Sequence, residues 1–234
     1  MLFIGNGSLL RHALVSARQN SIKIDLVCVN NDEGLVQFCQ RLNVPVLVSS
    51  KLNTDLIYEV SRSSDGVALS VNNSLILGDE LLSTELKFFN IHNGLVQKYR
   101  GIAEVCVLAA ICKSEVEYGS TLHQLLPKQE VDSGPVFDQR SFNLEQSENF
   151  ETIFSMSIQN YKSQLELMLP RLASLTEHDG DYMHGLDHYS YKDIPNIIST
   201  APAERRELAC SVGKYSGLLP RLSGSIRDTL KNLS

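Results

Sequence analysis

Short apolar runs at residues 2–4, 24–29, 44–48, 67–71 and 88–91 recur along the first part of the chain. Each is too short for a helix and lacks polar alternation, so each reads as a strand covered on both faces. Helix-like stretches at 8–19, 34–42, 52–61 and 78–86 separate them. Strand–helix alternation of this kind needs a crossover at every step. It predicts an α/β fold, a Rossmann-like, mostly parallel sheet with helices on both faces. In such sheets ligands bind beyond the carboxyl ends of the strands, so polar residues that close an apolar run there are the first candidates for chemistry.

Beyond the alternation, the pattern predicts a helix at 103–112, strands at 120–126 and 135–142, and a long amphipathic helix at 150–172 that Pro170 stops or bends. From Ser174 the texture turns to His, Asp, Tyr and Ser, with Pro195 and Pro202. The organisation expected is a catalytic core over 1–173 and a short, irregular C-terminal extension over 174–234, packed on the core or at a dimer contact. With 43% hydrophobic and 21% charged residues in 234, the composition is that of a globular domain able to bury a core without disulfides. The net charge of −6 disfavours a nucleic-acid grip built on phosphate contacts. No run approaches the ~20 apolar residues of a membrane span. The N-terminal residues begin a strand at once, without the basic and apolar regions of a signal peptide, so a cytoplasmic location is expected. Cys28, Cys39, Cys106, Cys112 and Cys210 are odd in number and contain no Cys-x-x-Cys pair. Neither a disulfide framework nor a zinc site is suggested, and Cys28, Cys106 and Cys112, which lie in apolar runs, read as buried thiols in a reducing compartment.

Asn90 and His92 close the fifth apolar run and, two apart on a strand, project from one face. An amide beside an imidazole can stabilise charge developing on a carbonyl oxygen. The same pair also fits strand-end residues bonded to loop backbone. Thr121 and His123 form a second same-face pair, and Asp132 follows in a loop before Ser133, Gly134 and Pro135. A carboxylate near His92 would favour the charged imidazole and order a water for proton transfer. Gly5, Asn6, Gly7 and Ser8 lie between the first strand and first helix, where Ser8 suits a cap and free N–H groups suit a phosphate. Leu10 stands where a dinucleotide fingerprint needs its third glycine, so the fingerprint is incomplete and a nicotinamide enzyme is a poor reading. Asn72 and Asn73 fit a turn after the fourth strand. His178, Asp179, Asp181, His184, Asp187 and His188 invite a metal reading, but Gly185 breaks the helical spacing and no His-Glu-x-x-His occurs. They read as a solvated polar loop, and no metal is expected.

Taken together, Asn90-Ile-His92, Lys98-Tyr99-Arg100-Gly101, Gly119-x-Thr121-x-His123 and Val131-Asp132-Ser133-Gly134-Pro135 resemble the folate-dependent formyltransferases. This is the family of glycinamide ribonucleotide transformylase, methionyl-tRNA formyltransferase and the amino-sugar N-formyltransferases. The resemblance covers roughly residues 1–145. It implies an enzyme that takes a formyl group from 10-formyltetrahydrofolate, without a metal, and gives it to a primary amine. It also implies Asn90, His92 and Asp132 as catalytic residues and His123 as their neighbour. Asn72, Asn73, Leu75 and Val131 are then expected at the folate. Gly5, Asn6, Gly7, Ser8, Asn93, Gly94, Gln97 and Arg100 are expected at the acceptor. The family's usual Pro-Ser-Leu-Leu-Pro after the histidine is replaced by Asn93-Gly94-Leu95-Val96-Gln97. That change points to a non-standard acceptor: a small, phosphate-bearing amine, first a nucleotide-linked amino sugar, then glycinamide ribonucleotide or a carrier-tethered aminoacyl group. A folate- or nucleotide-binding module without turnover is the reading from another class. Neither a nucleic-acid nor a membrane partner is expected, and a homodimer is open.

Overall fold

The computed structural model describes residues 1–176, 179–183 and 187–233. Its strands are β1 (Leu2–Gly5), β2 (Leu26–Val29), β3 (Val46–Val48), β4 (Val67–Val71), β5 (Lys87–His92), β6 (Arg100–Gly101), β7 (Glu117–Leu125), β8 (Val136–Asn143) and β9 (His188–Tyr189). Its α-helices are α1 (Gly7–Gln19), α2 (Glu33–Arg41), α3 (Leu52–Asp55), α4 (Asp79–Leu82), α5 (Ala103–Cys112), α6 (Phe150–Met168), α7 (Ile194–Thr200), α8 (Ala203–Cys210) and α9 (Pro220–Leu233). Contacts divide the chain into two compact units, one of 1–91, 122–138 and 162–183, the other of 92–121, 139–161 and the described part of 184–234. β5, β7, β8 and α6 each contribute residues to both.

The seven-stranded sheet is ordered β3-β2-β1-β4-β5-β7-β8, with β1 to β4 wholly in the first unit. The pairings β1–β2, β1–β4, β2–β3 and β4–β5 are all parallel. Every residue of β1, β2 and β4 is buried, which is why these strands read as unbroken apolar runs. Leu2, Ile4, Cys28, Ala68 and Phe88 pack with Leu52, Leu56 and Leu81 on one side of the sheet.

Helix boundaries differ from the expected ones for local reasons. The stretch 52–61 is a short α-helix followed by a 3-10 turn, Leu56–Arg62, at β-branched Ile57 and Val60. The helix expected over 78–86 stops at Leu82, because the Ser83 and Thr84 hydroxyls bond back to the carbonyls of Asp79 and Leu81, each at 2.7 Å. At Pro170 the long α6 gives way to the 3-10 segment Leu169–Ser174.

The second unit is built around α5. Residues 105–112 are all buried, without a polar face. α7 and α8 pack on this helix, and α9 packs on α7. Arg205 of α8, 6% exposed, donates through Nε to the carbonyl of Ile111 at 2.9 Å, satisfying an acceptor in the last turn of α5. The C-terminal segment that reads as irregular texture is thus largely helical. β6 and β9 pair in parallel as a separate two-stranded ladder.

Candidate active site

In the first unit, three of the expected residues meet at one histidine. His123, fully buried on β7, has its Nε2 3.1 Å from Asn90 Nδ2 and 3.4 Å from Asp132 Oδ1. An amide N–H needs a lone pair on Nε2, whereas a carboxylate needs a proton there. The two contacts therefore call for opposite states of one nitrogen: with a proton on Nε2 the Asn90 amide N–H has no acceptor there, and with a lone pair Nε2 meets Asp132 as a partner only if the carboxyl carries the proton. Nδ1 of His123 is buried with no hydrogen-bond partner among the described residues. Asp132 is 6% exposed and held at φ 57°, a left-handed conformation that Asp and Asn tolerate better than other side chains. Val131, beside it, is 39% exposed.

The turn after β1 also lies in the first unit. Gly5 is obligatory: a Cβ there would sit 1.8 Å from the Val71 carbonyl oxygen. Asn72 Nδ2 donates to the Asn6 carbonyl at 3.1 Å, and Asn73 closes its own turn by accepting from Leu75 N at 3.1 Å. Ser8 does not cap α1. The helix starts one residue earlier than expected, at Gly7, and the cap position Asn6 makes no side-chain bond. The Gly7 N–H donates instead to Asp32 Oδ2 at 2.8 Å, while Asp32 Oδ1 accepts from Leu35 N at 2.9 Å and caps α2. One carboxylate thus serves two helix N-termini and occupies the place an anion would take. An Asp before an apolar helix signals a cap for α2; its bond to Gly7, 25 residues away, leaves no trace in the sequence.

In the second unit, His92 Nε2 lies 2.8 Å from the Tyr99 carbonyl. The segment following it is tied down by its own side chains. Asn93 Nδ2 donates to Ser157 Oγ at 3.0 Å, and Gln139 Nε2 donates to Gln97 Oε1 at 2.7 Å. Arg100, 5% exposed, donates through Nε to the Val96 carbonyl at 2.9 Å, and Gly94 is buried. Thr121, noted in the sequence as the same-face partner of His123, proves to be a hub: its Oγ1 donates to the Gly94 carbonyl at 2.7 Å.

Elsewhere the chemistry is quiet. Burial pushes the thiols of Cys28 and Cys112 up to about 12, well away from reactivity. His178 and His184 of the metal reading lie outside the described residues. Among the described residues no group of three or more His, Cys, Asp or Glu could hold a metal ion, and no helix is long and apolar enough to cross a membrane. Asp187 is paired with Lys113 at 2.9 Å, and Asp179 closes a turn on Thr176.

The formyl transferase family profile matches residues 1–165, a span that holds all four motifs. The chain belongs to that family. Among curated relatives, the methionyl-tRNA formyltransferase of Fervidobacterium nodosum is 27% identical over 122 residues, covering 52% of this chain and 38% of that protein. The chain spans about two fifths of the length of the curated relatives it matches. Among solved structures, the Helicobacter canadensis N-formyltransferase, in complex with folinic acid and dTDP-3-aminofucose, superposes with a TM-score of 0.64 at 20% identity, covering 82% of this chain and 71% of that one. A sugar N-formyltransferase from a Shewanella species gives 0.67 at 15% identity, covering 89% and 85%. At such identities the likeness is one of fold.

Proposed function

We propose that this member of the family transfers a formyl group from 10-formyltetrahydrofolate to the primary amine of a nucleotide-linked amino sugar. The observation that carries the reading is the meeting of Asn90, His123 and Asp132 inside the family-matched region. An attacking amine must be uncharged and must lose a proton as its C–N bond forms, while the folate nitrogen must gain one as its bond to the formyl carbon breaks. Asp132 accepts the first proton. Asn90 and protonated His92 supply hydrogen bonds to the tetrahedral oxyanion. His123 couples Asp132 to the Asn90 amide, so that donor strength at Asn90 follows the protonation of the carboxylate. Asn72, Asn73, Leu75 and Val131 are assigned to the folate side, and Asn93, Gly94, Gln97 and Arg100 to the acceptor side. Residues 1–173 form the catalytic core and 174–234 its extension.

A specific contact favours the amino sugar over glycinamide ribonucleotide. A monophosphate held by Gly5, Asn6, Gly7 and Ser8 would meet the Asp32 carboxylate already bonded to Gly7. Like charges at that spacing disfavour the ribonucleotide. The fold neighbour from Helicobacter canadensis, solved with an amino sugar linked to dTDP, fits the same preference.

The test is to offer purified protein 10-formyltetrahydrofolate with a panel of amines and to follow the formamide product by mass spectrometry. Product with a nucleotide-linked amino sugar and little with glycinamide ribonucleotide is expected. Preference for the ribonucleotide would overturn the acceptor assignment, and no consumption of the donor with any amine would overturn the enzyme reading.

A further inference from the structure

The segment after β5 does more than follow a reactive histidine. The Tyr99 carbonyl can only accept a hydrogen bond, so its contact with His92 Nε2 at 2.8 Å requires a proton on that nitrogen in the neutral and the charged ring alike. We propose that residues 93–99, pinned by Thr121, lock His92 as the Nε2–H tautomer, so that His92 takes up and releases protons through Nδ1, with Gly94 and Thr121 as positioning residues. The proposal rests on the assignment of His92 to the reacting atoms made above.

Two observations carry it. The first is steric. A Cβ at position 94 would lie 2.6 Å from His92 Nε2 and 2.7 Å from the Tyr99 oxygen, inside the hydrogen bond itself. Any side chain there must push the ring or the carbonyl aside. This ring placement therefore needs glycine at position 94.

The second is the way the segment is held. Thr121 is completely buried, and its hydroxyl uses its full capacity. It donates to the Gly94 carbonyl at 2.7 Å and accepts from Val96 N at 3.3 Å and Gln139 Nε2 at 2.9 Å. Tyr118 holds the Asn93 carbonyl at 2.6 Å. The N–H groups of Lys98 and Tyr99 both return to the Leu95 carbonyl at 2.8 Å, which closes the turn that aims the Tyr99 oxygen at the ring. A backbone carbonyl does not titrate in the working range. Unlike a carboxylate partner, it cannot exchange roles with the imidazole as pH changes.

Ring nitrogen NMR of the histidine-labelled full chain reads the tautomer directly, with His92→Gln identifying the His92 signals. The wild type is expected to show the Nε2–H pattern in its neutral form. Gly94→Ala and Thr121→Val are expected to mix the tautomers, change the shape of the pH profile of kcat/KM and lower kcat about tenfold or more, with the donor KM within about twofold. Thr121→Ser, which keeps the hydroxyl, should restore both spectrum and profile. An Nδ1–H pattern in the wild type would overturn the proposal. So would a pH profile and spectrum unmoved by both Gly94→Ala and Thr121→Val. The spectra decide the tautomer whether or not formyl transfer is found, so absent turnover would remove the proposed function and leave this assignment to be judged on the ring signals alone.

Discussion

The turn after β1 and the segment after β5 both leave a buried strand through a glycine that tolerates no side chain, yet they spend their polar groups in opposite ways. At the first, a helix N-terminus that could receive an anion is closed by the chain's own carboxylate, Asp32 on Gly7. At the second, a backbone carbonyl is turned onto an imidazole, Tyr99 on His92. The first contact satisfies a donor and ends there. The second sets the state of the group assigned above to the reacting atoms. Glycine and strand-end position alone therefore do not mark a functional loop; what the neighbouring polar atoms are left free to do decides it.

If that contrast holds, changes at the β1 turn act on stability and acceptor choice, and changes near β5 and Asp132 act on turnover. The largest effect is expected at Gly5. Gly5→Ala places a methyl group against the Val71 carbonyl and should cost about 3 kcal/mol or more of stability, read as a fall in the denaturation midpoint. Asp132→Asn comes next. Asn accepts the left-handed backbone, so the melting temperature should hold while kcat falls by about 10²-fold or more, in steady-state assays with the best amine. A normal kcat would remove Asp132 from proton transfer. Gln97→Leu leaves the Gln139 amide with Thr121 as an acceptor but without Gln97, and deletes a group assigned to the amine substrate. It should lower kcat/KM for a hydroxyl-rich amine by roughly tenfold and leave folate affinity alone, and a loss of folate affinity would move Gln97 to the other substrate. The smallest effect is at Asp32. Asp32→Ser keeps a cap for α2 but withdraws the carboxylate from Gly7, costing about 1 kcal/mol, and phosphate should then shift the Gly7 amide resonance. A wild-type Gly7 amide that already responds to phosphate would break the comparison.

The α/β architecture was legible because strands of a parallel sheet are buried on both faces and appear as bare apolar runs, as β1, β2 and β4 do. The residue types of the candidate site could be read too, since Asn90, His92, His123 and Asp132 sit in spaced motifs. Their pairing was not. That His123 stands between Asn90 and Asp132 depends on strands 33 residues apart lying side by side, which motif spacing does not encode. Asp32 escaped for the same reason. α8 escaped for a different one: only Arg205 and Ala209 of its residues are buried, too few to print a helical period on so short a segment.

The bare apolar surface of α5 has a consequence for how the protein is made. During synthesis this helix leaves the ribosome about a hundred residues before α8, which covers part of it. At about 5–20 residues per second the cover follows roughly 5–20 s later. For that interval the nascent chain carries a helix that is apolar on every side over the eight residues from Val105 to Cys112 and only partly covered, a natural handle for a holdase and a hazard without one. A premature stop in the last helices, remote in sequence from every motif, would then act through aggregation of the nascent protein and not through its chemistry.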